Sequence, residues 1–267
     1  MTDNEPSVGH SSLDTTSPHS ARVWNYFLDG KDNFDADRAM GDQIKEFFPD
    51  IVVVARESRR FLARAVGYLA GEVGVRQFLD IGTGLPTADN THQVVQRIAP
   101  ESRIVYVDND PLVLVHARAL LTSTPEGVTD YLDADLREPE KILAGAARTL
   151  DFTQPIAVML LGILGHIVDY DEARSLVSRL VAGIPSGSYL VVNDGTNVVN
   201  PDARNEATRI SIESGEPYIS RHPDDIARYF DGLELVDPGV VSSIRWRHGT
   251  DSLPDEVDVY CGVARKP

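Results

Sequence analysis

The sequence predicts an α/β fold: a doubly wound, Rossmann-like and mostly parallel sheet of seven strands, with a helical cap at the N-terminus. Three observations support this prediction. From residue 77 onward, short apolar runs alternate with segments of helical periodicity. The cores of the runs are continuously apolar, as in parallel strands that helices cover on both faces. The last two runs follow each other without a helix, so one terminal strand must be antiparallel.

Residues 19–76 have the pattern of helices only, which predicts a helical cap ahead of a domain at residues 77–267. The predicted helices of the cap cover residues 21–28, 35–48 and 53–72. The first ends at Gly30, and Pro49 stops the second because proline cannot continue a helix. Gly74 closes the third helix just before the first strand.

The alternation that follows predicts strands with helices between them. The first five strands are expected at residues 77–81, 103–107, 128–132, 156–161 and 189–193. The helices of this part are expected at residues 90–99, 112–121, 139–150, 171–182, 202–213 and 224–230. The two terminal strands are predicted at residues 233–236 and 257–264, with a loop at 242–254 between them.

The composition is that of a soluble globular protein. Of the 267 residues, 42% are hydrophobic and 25% are charged, and no apolar run is long enough to cross a bilayer. Residues 1–18 are polar and lack the basic and apolar succession of a secretion signal, so we expect a disordered tail and a cytoplasmic protein. The single cysteine, Cys261, cannot form an internal disulfide and is expected to be a small buried residue.

The charge balance disfavours nucleic acid as a partner. Acidic residues number 41 and basic residues 25, which leaves a net charge of −16. That charge repels a phosphate backbone, whose binding normally requires a basic patch. The seven histidines are scattered, with no paired spacing or cysteine cluster, so no metal site is predicted. The expected partner is therefore a small molecule, with neither nucleic acid nor membrane, and the oligomeric state stays open.

A glycine turn at the end of the first strand carries most of the functional information. Residues 78–87 read FLDIGTGLPT, with Asp80 two positions before the first glycine. Such glycines let the backbone approach a nucleotide closely. A dinucleotide site requires a third glycine where this chain has Thr87, and the Asp80 carboxylate would repel a pyrophosphate. The same carboxylate can accept a hydrogen bond from an amine, so the motif favours the phosphate-free S-adenosylmethionine over NAD.

A second acid follows the next apolar run. Residues 104–107 read IVYV and lead into Asp108. A carboxylate at this strand end can accept hydrogen bonds from both hydroxyls of a ribose. The structural alternative for Asp108 is a helix N-cap, because Pro111 follows closely.

These motifs resemble those of the class I S-adenosylmethionine-dependent methyltransferases over roughly residues 77–264. The resemblance rests on the segments QFLDIGTGLPT, IVYVDNDP, YLDADL, LLGILGHIVD and IPSGSYLVVND. It implies a reversed seventh strand and S-adenosyl-L-methionine as the cofactor. The segments ARVWNYFLDGKDNFDADR and IVYVDNDPLVLVHARALL further resemble one bacterial family of such methyltransferases, whose substrate is unknown.

The resemblance also implies a role for each motif residue at the cofactor. The methionine end would be lined by the residues of the glycine turn, Asp80, Gly82, Thr83 and Gly84. Asp108 would bind the ribose hydroxyls, with Asn109 beside it. Asp135 and the backbone of Leu136 would face the adenine. Asp133 lies two residues before Asp135, and either acid could instead be a turn residue or a helix cap.

Four residues of the cap are candidates for a wall over the site. The segment DGKDNF joins two predicted helices and could fold over the cofactor as a lid, with Asn33 and Phe34 reaching inward. Arg22 and Tyr26 would form the adjoining wall. An ordinary polar turn between two helices explains the segment equally well.

One histidine is a candidate for the acceptor side. His166 follows the fourth strand, whose end faces the reacting methyl group in this class of enzyme. It is the best candidate for a general base, although a packing or capping role is the interpretation that the sequence favours. No catalytic pair is recognisable. The sequence therefore predicts an enzyme that methylates a small molecule, and a binding sensor or regulatory protein on the same fold is the alternative.

Overall fold

The computed structural model describes residues 14–87, 89–120, 122–249 and 254–267. The first thirteen residues of the predicted tail and part of the predicted loop at 242–254 lie outside this set. The described part of the chain has the predicted α/β fold, a mostly parallel sheet with helices on both faces and a helical cap. None of its helices is both long and apolar enough to cross a membrane.

Three helices precede the sheet, as the sequence predicts. They are α1 (Ser20–Phe27), α2 (Asp35–Phe47) and α3 (Ile51–Tyr68). A π-helical turn at Leu69–Val73 continues α3, and Gly74 ends it with a left-handed backbone, φ +87°. The apolar faces of these helices meet in a buried cluster that also includes Ala207 and Val259 from the sheet domain. The cap is therefore packed onto the domain through apolar contacts.

Five parallel strands form the body of the sheet. They are β1 (Gln77–Ile81), β2 (Arg103–Asp108), β3 (Val128–Asp133), β4 (Ala157–Leu161) and β5 (Tyr189–Gly195). Their order across the sheet is β3-β2-β1-β4-β5. The direction of succession therefore reverses between β1 and β4. At such a reversal the carboxyl ends of neighbouring strands open a crevice in which ligands bind.

Six helices of the described chain accompany and follow these strands. They are α4 (Thr91–Ile98), α5 (Pro111–Leu120), α6 (Pro139–Ala146), α7 (Tyr170–Ala182), α8 (Pro201–Glu213) and α9 (Pro223–Ala227). On one face of the sheet, α6 and α7 pack against Leu79 and Val105. On the other face, α3 and α4 pack against Phe78 and Ile104. This division follows from the pleat, in which successive side chains of a strand point to opposite faces.

The end of the sheet differs from the prediction in one respect. β8 (Val259–Arg265) runs antiparallel to β5, which confirms the reversed terminal strand. Two short strands, β6 (Glu234–Leu235) and β7 (Val241–Ser242), pair antiparallel with the other edge of β8. They are two pieces of one edge strand, interrupted at residues 236–240, where Pro238 has no N–H to donate. The described sheet therefore has eight strands where seven were predicted.

Candidate functional site

The loop after β1 depends on two glycines. Gly82 and Gly84 have φ values of +74° and +65°, a left-handed backbone that favours glycine. The Gly82 amide donates to the Val107 carbonyl at 2.8 Å, which fastens the loop to β2. A Cβ on Gly82 would lie 2.7 Å from the side chain of Ile163, which follows β4. The loop is therefore enclosed by the tips of two other strands, with no room for a side chain at Gly82.

Asp108, at the end of β2, binds the same loop. Its Oδ2 accepts a hydrogen bond from the Gly84 amide at 2.9 Å, and its Oδ1 accepts one from the Asp110 amide at 2.9 Å. Burial raises the pKa of this carboxyl, and the two amide bonds oppose the rise. The alternative role, capping α5, falls to Asp110, whose Oδ1 accepts the Leu112 amide at 2.8 Å. Asp108 lines a cavity at the strand tips.

Asp80 lies buried beneath the loop, with 5% of its surface exposed. Its Oδ2 accepts a hydrogen bond from Thr91 Oγ1, at the start of α4, at 2.6 Å. Burial raises the pKa of Asp80 to about 6, while the Thr91 hydrogen bond and the charge of Arg59 oppose the rise and the Asp108 carboxylate adds to it. Asp80 lines the same cavity. Its ionised form is the stronger acceptor for a cationic group there.

Two polar residues connect the tips of β2 and β3. Asn109 Nδ2 donates to Asp135 Oδ2 at 2.9 Å, and Asp135 Oδ1 accepts a hydrogen bond from the Arg137 amide at 2.8 Å. Asn109 and Asp135 line the cavity, as does the buried Leu136. Asp133 is exposed and is not among the lining residues. Of the two acids that the sequence leaves as alternatives, Asp135 therefore lines the cavity and Asp133 does not.

One cavity of about 440 Å³ brings together eight of the nine residues predicted at the cofactor, all except Asn33. It is lined by Asp80, Gly82, Thr83, Gly84, Asp108, Asn109, Asp135 and Leu136. His166, predicted on the acceptor side, lines it as well. Residues of α1 that include Trp24 and Phe27 complete the wall. The first helix of the cap therefore covers the strand tips.

Four predicted residues of the cap do not line this cavity, namely Arg22, Tyr26, Asn33 and Phe34. Asn33 Nδ2 donates to Asn25 Oδ1 at 2.9 Å and to the Gly30 carbonyl at 3.0 Å. Because these bonds satisfy the amide within its own loop, Asn33 has no donor directed at the strand tips. Residues 29–34 form the polar turn between two helices that the sequence also allows, and the cover of the cavity is α1.

Arg22, Tyr26 and Phe34 serve the packing of the cap itself. Arg22 Nε donates to the buried Asp37 Oδ1 at 3.1 Å, and its guanidinium lies 5.3 Å from the Phe34 ring centroid. The Tyr26 hydroxyl donates to Asp42 at 2.6 Å. A buried guanidinium requires a paired acid. Since Asp37 supplies that acid inside the cap, Arg22 does not reach the cavity.

His166 lies in a 3₁₀ turn after β4 and lines the cavity beside Tyr218. Its Nδ1 is 2.9 Å from the Pro217 carbonyl oxygen. Because a carbonyl can only accept, Nδ1 carries the hydrogen and Nε2 of the neutral ring keeps a lone pair. Burial lowers the pKa of the imidazole. The Tyr218 ring meets it edge-on, with centroids 5.0 Å apart. His166 is thus a neutral imidazole with one defined proton acceptor.

A hydrogen bond to Glu216 holds the start of α1 at the cavity. His19 Nδ1, which accepts the Ala21 amide, lies 3.1 Å from Asp110 Oδ2 near the tip of β2. The Ser20 amide donates to Glu216 Oε2 at 3.0 Å, on the segment that follows α8. His19, Ser20 and Glu216 all line the cavity. These contacts fix the position of α1 over both halves of the site.

Sequence reasoning missed two further residues of the cavity. Arg204 in α8 and Tyr218 beyond it line the cavity. The sequence predicts a helix at residues 202–213 and nothing more for this region. The polar sequence around Arg204 is that of an ordinary surface helix and gives no local signal of a site. The contact of this stretch with α1 joins distant parts of the chain, and no local pattern indicates it.

A family model and several solved structures are similar to this chain. The model, described as S-adenosyl methyltransferase, matches residues 6–267. A DUF574 family protein from Streptomyces avermitilis has 43% sequence identity and a TM-score of 0.91, over 95% of this chain and 99% of its own. A candidate methyltransferase from Thermobifida fusca has 40% identity and a TM-score of 0.87, over 95% of this chain and 96% of its own. No curated protein matches the sequence.

A more distant structure shares the fold alone. A SAM-dependent methyltransferase from Anabaena variabilis has 14% sequence identity and a TM-score of 0.52, over 97% of this chain and 99% of its own. At that identity the likeness concerns the arrangement of strands and helices only.

We expect Gly82→Ala to destabilise the protein more than Gly84→Ala. Both substitutions force alanine into a left-handed backbone, which costs about 1–2 kcal/mol. At Gly82 the new methyl group must also displace Ile163, whereas a Cβ on Gly84 meets no described atom within 4 Å. Urea unfolding of both variants measures the difference in the free energy of unfolding. Because the Ile163 Cβ itself would lie 2.8 Å from the new methyl group, only Ile163→Gly removes the clash, and Gly82→Ala in that background should cost only the strain relative to Ile163→Gly alone. Equal losses at the two glycines would contradict the packing argument.

Proposed function

The chain belongs to the S-adenosyl methyltransferase family, and we propose that it methylates a small molecule held in the cavity beneath α1. The observation that carries this proposal is a single cavity that joins the strand tips to a second half around His166 and Tyr218. Its volume of about 440 Å³ lies within the range of about 300–1,000 Å³ for small-molecule sites. The net charge of −16 argues against a nucleic-acid acceptor.

The residues at the strand tips suit the cofactor of this family, S-adenosylmethionine. Its ribose and adenine offer hydroxyls and an amine but no phosphate, and carboxylates such as Asp108 and Asp135 accept hydrogen bonds from such donors. Gly84, where a Cβ would meet no described atom within 4 Å, provides backbone that a ligand can approach closely. The chemistry of the donors and acceptors therefore fits the cofactor.

We assign the contacts by position along the strand tips. Asp108 binds the ribose hydroxyls, since each of its oxygens keeps a further acceptor site beside its amide bond. Asn109 lies next to it, and Asp135 with the backbone of Leu136 faces the adenine. The methionine end is lined by the loop after β1, that is by Asp80, Gly82, Thr83 and Gly84.

S-adenosylmethionine, when bound, supplies a methyl group made electrophilic by its sulfonium. The protein must orient an acceptor hydroxyl and keep water away from it. Helix α1, which lies over the strand tips, excludes the water. His166 takes the proton of the acceptor at Nε2, because Nδ1 already carries a hydrogen that is bonded to Pro217. Burial lowers the pKa of His166, so that its lone pair is available at neutral pH.

Replacing Asp108 tests the ribose contact. We expect Asp108→Ala to weaken the binding of S-adenosylhomocysteine by about 1.5–3 kcal/mol, the usual contribution of hydrogen bonds to a charged group. Asp133→Ala is the matched control, because Asp133 pairs with Asp108 in the strand register but does not line the cavity. Calorimetric titration measures both affinities. An unchanged affinity in Asp108→Ala, or an equal loss in the control, would contradict the assignment.

The raised pKa of Asp80 predicts a pH-dependent affinity for the same ligand. The ammonium group of the ligand favours the ionised carboxylate, whereas unbound Asp80 holds a proton below its pKa of about 6. Binding must then release that proton, so the affinity is level above this pKa and falls below it, approaching about tenfold per pH unit. Titrations on both sides of the pKa compare the wild type with Asp80→Asn, which has no carboxyl to titrate. A wild-type affinity that does not change with pH would refute the contact.

Replacing His166 tests the proposed base. His166→Gln should lower turnover by about 10²–10⁴-fold, the usual contribution of general acid–base catalysis, and leave the affinity for S-adenosylhomocysteine unchanged. His116→Gln is the control, because His116 in α5 does not line the cavity. Formation of S-adenosylhomocysteine with a panel of small hydroxylated molecules measures the rates. Full activity in His166→Gln would exclude the base, and tight cofactor binding with no turnover of any panel member would count against an enzyme.

A further inference from the structure

Arg204 is a buried cation with unused hydrogen-bond donors at the cavity. It belongs to α8, is 6% exposed and lines the same cavity as His166. Its Nε donates to Ser220 Oγ at 2.7 Å. Within the described part of the chain, neither terminal nitrogen of this guanidinium donates a hydrogen bond to the protein. A buried guanidinium is costly unless an anion pairs with it.

The guanidinium is held in one orientation. Its central carbon lies 5.4 Å from the Phe48 ring centroid and 5.3 Å from the Tyr218 ring centroid. A Cβ on Gly195 would lie 2.0 Å from Nη2, so this glycine provides the space that the guanidinium occupies. Two aromatic rings, a hydroxyl and a glycine therefore position the group before any ligand arrives. A planar guanidinium placed in this way suits two parallel hydrogen bonds to a carboxylate.

The neighbouring carboxylates form hydrogen bonds or ion pairs with groups other than Arg204. Asp194, at the end of β5, accepts a hydrogen bond from the Tyr218 hydroxyl, and its Oδ2 lies 3.6 Å from Nη1 of Arg221. Burial raises the pKa of Asp194, and Tyr218 and Arg221 oppose the rise more than Arg204 does. Glu216 accepts the amide at the start of α1. Among the described residues, no carboxylate therefore forms an ion pair with Arg204.

We propose that the methyl acceptor is a small carboxylic acid, whose carboxylate binds Arg204 and whose hydroxyl is the methylated group beside His166. This inference rests on the proposed function. His166 and Arg204 both line the cavity and both contact the Tyr218 ring, at 5.0 Å and 5.3 Å from its centroid, so the base and the guanidinium meet at one residue of the cavity wall. A carboxylate suits this group because its two oxygens match the two terminal nitrogens of a guanidinium.

The test uses protein loaded with S-adenosylhomocysteine, in which the carboxylate of the cofactor product already occupies its own place. Calorimetric titration compares hydroxy acids with their uncharged amides: para-hydroxybenzoate with para-hydroxybenzamide, and glycolate with glycolamide. We expect the better-fitting acid to bind at least about tenfold more tightly than its amide, because only the carboxylate brings a negative charge to the guanidinium. Arg204→Met should reduce that ratio to about one, since both ligands then meet an apolar side chain.

Two further variants control the experiment. Arg209→Met should keep the wild-type ratio, because Arg209 lies on the same helix but pairs with Glu206 and Glu213. Arg204→Lys keeps the charge without the planar group, so we expect an intermediate ratio even if Arg204→Met folds poorly. An unchanged affinity for S-adenosylhomocysteine shows that each variant retains the cofactor site.

Several outcomes would overturn the inference. For the wild type, these outcomes are an equal affinity for each acid and its amide, or no binding of either acid or amide. In Arg204→Met they are an unchanged ratio, which makes Arg204 a packing residue only, or a loss of affinity for S-adenosylhomocysteine, which places Arg204 at the cofactor. Failure of the wild type to bind S-adenosylhomocysteine would count instead against the proposed function.

Discussion

The hydrogen bond between the Asp108 carboxylate and the Gly84 amide determines the geometry of the site. It joins the loop after β1 to the tip of β2, and the Gly82 amide makes a second bond to the same strand. A carboxylate buried here is costly unless donors surround it, and the loop can present its amide because its glycines adopt a left-handed backbone. The other contacts build on this join: Ile163 packs on the loop, and Asn109 reaches the segment after β3.

The part of the cavity at the strand tips could be predicted from the sequence because its determinants are local. Each strand is an apolar run, and the acid or glycine at its end follows within a few residues. A parallel sheet then brings those ends to one edge. Asp80 and Asp108 were recognisable from their immediate neighbours for this reason, Asp135 followed from the resemblance of its segment, and all three line the cavity. The reversed terminal strand follows from the succession of elements, whereas the order of the parallel strands is seen only in the structure.

The part of the cavity around Arg204 and Tyr218 could not be predicted in this way, since these residues meet only through tertiary packing. From the sequence, Arg22 could point to the cavity or into the cap, and its partner Asp37 decides between the two. Arg204 has the appearance of a surface arginine in a polar helix. Its burial depends on Phe48 from the cap and Tyr218 from beyond α8, which no window of sequence contains together. The division of the last edge strand is likewise a matter of tertiary pairing.

The divided edge strand hinders aggregation, in which copies of the protein would join through the edges of their sheets. A long outer strand beside β8 would offer a row of free N–H and C=O groups on which another chain could add a strand. Here β6 and β7 are two residues each, and a turn that contains Pro238 separates them. Glu234 and Arg265 pair across the outer end of this edge and add charge to it. This side of the sheet is therefore a poor template for aggregation.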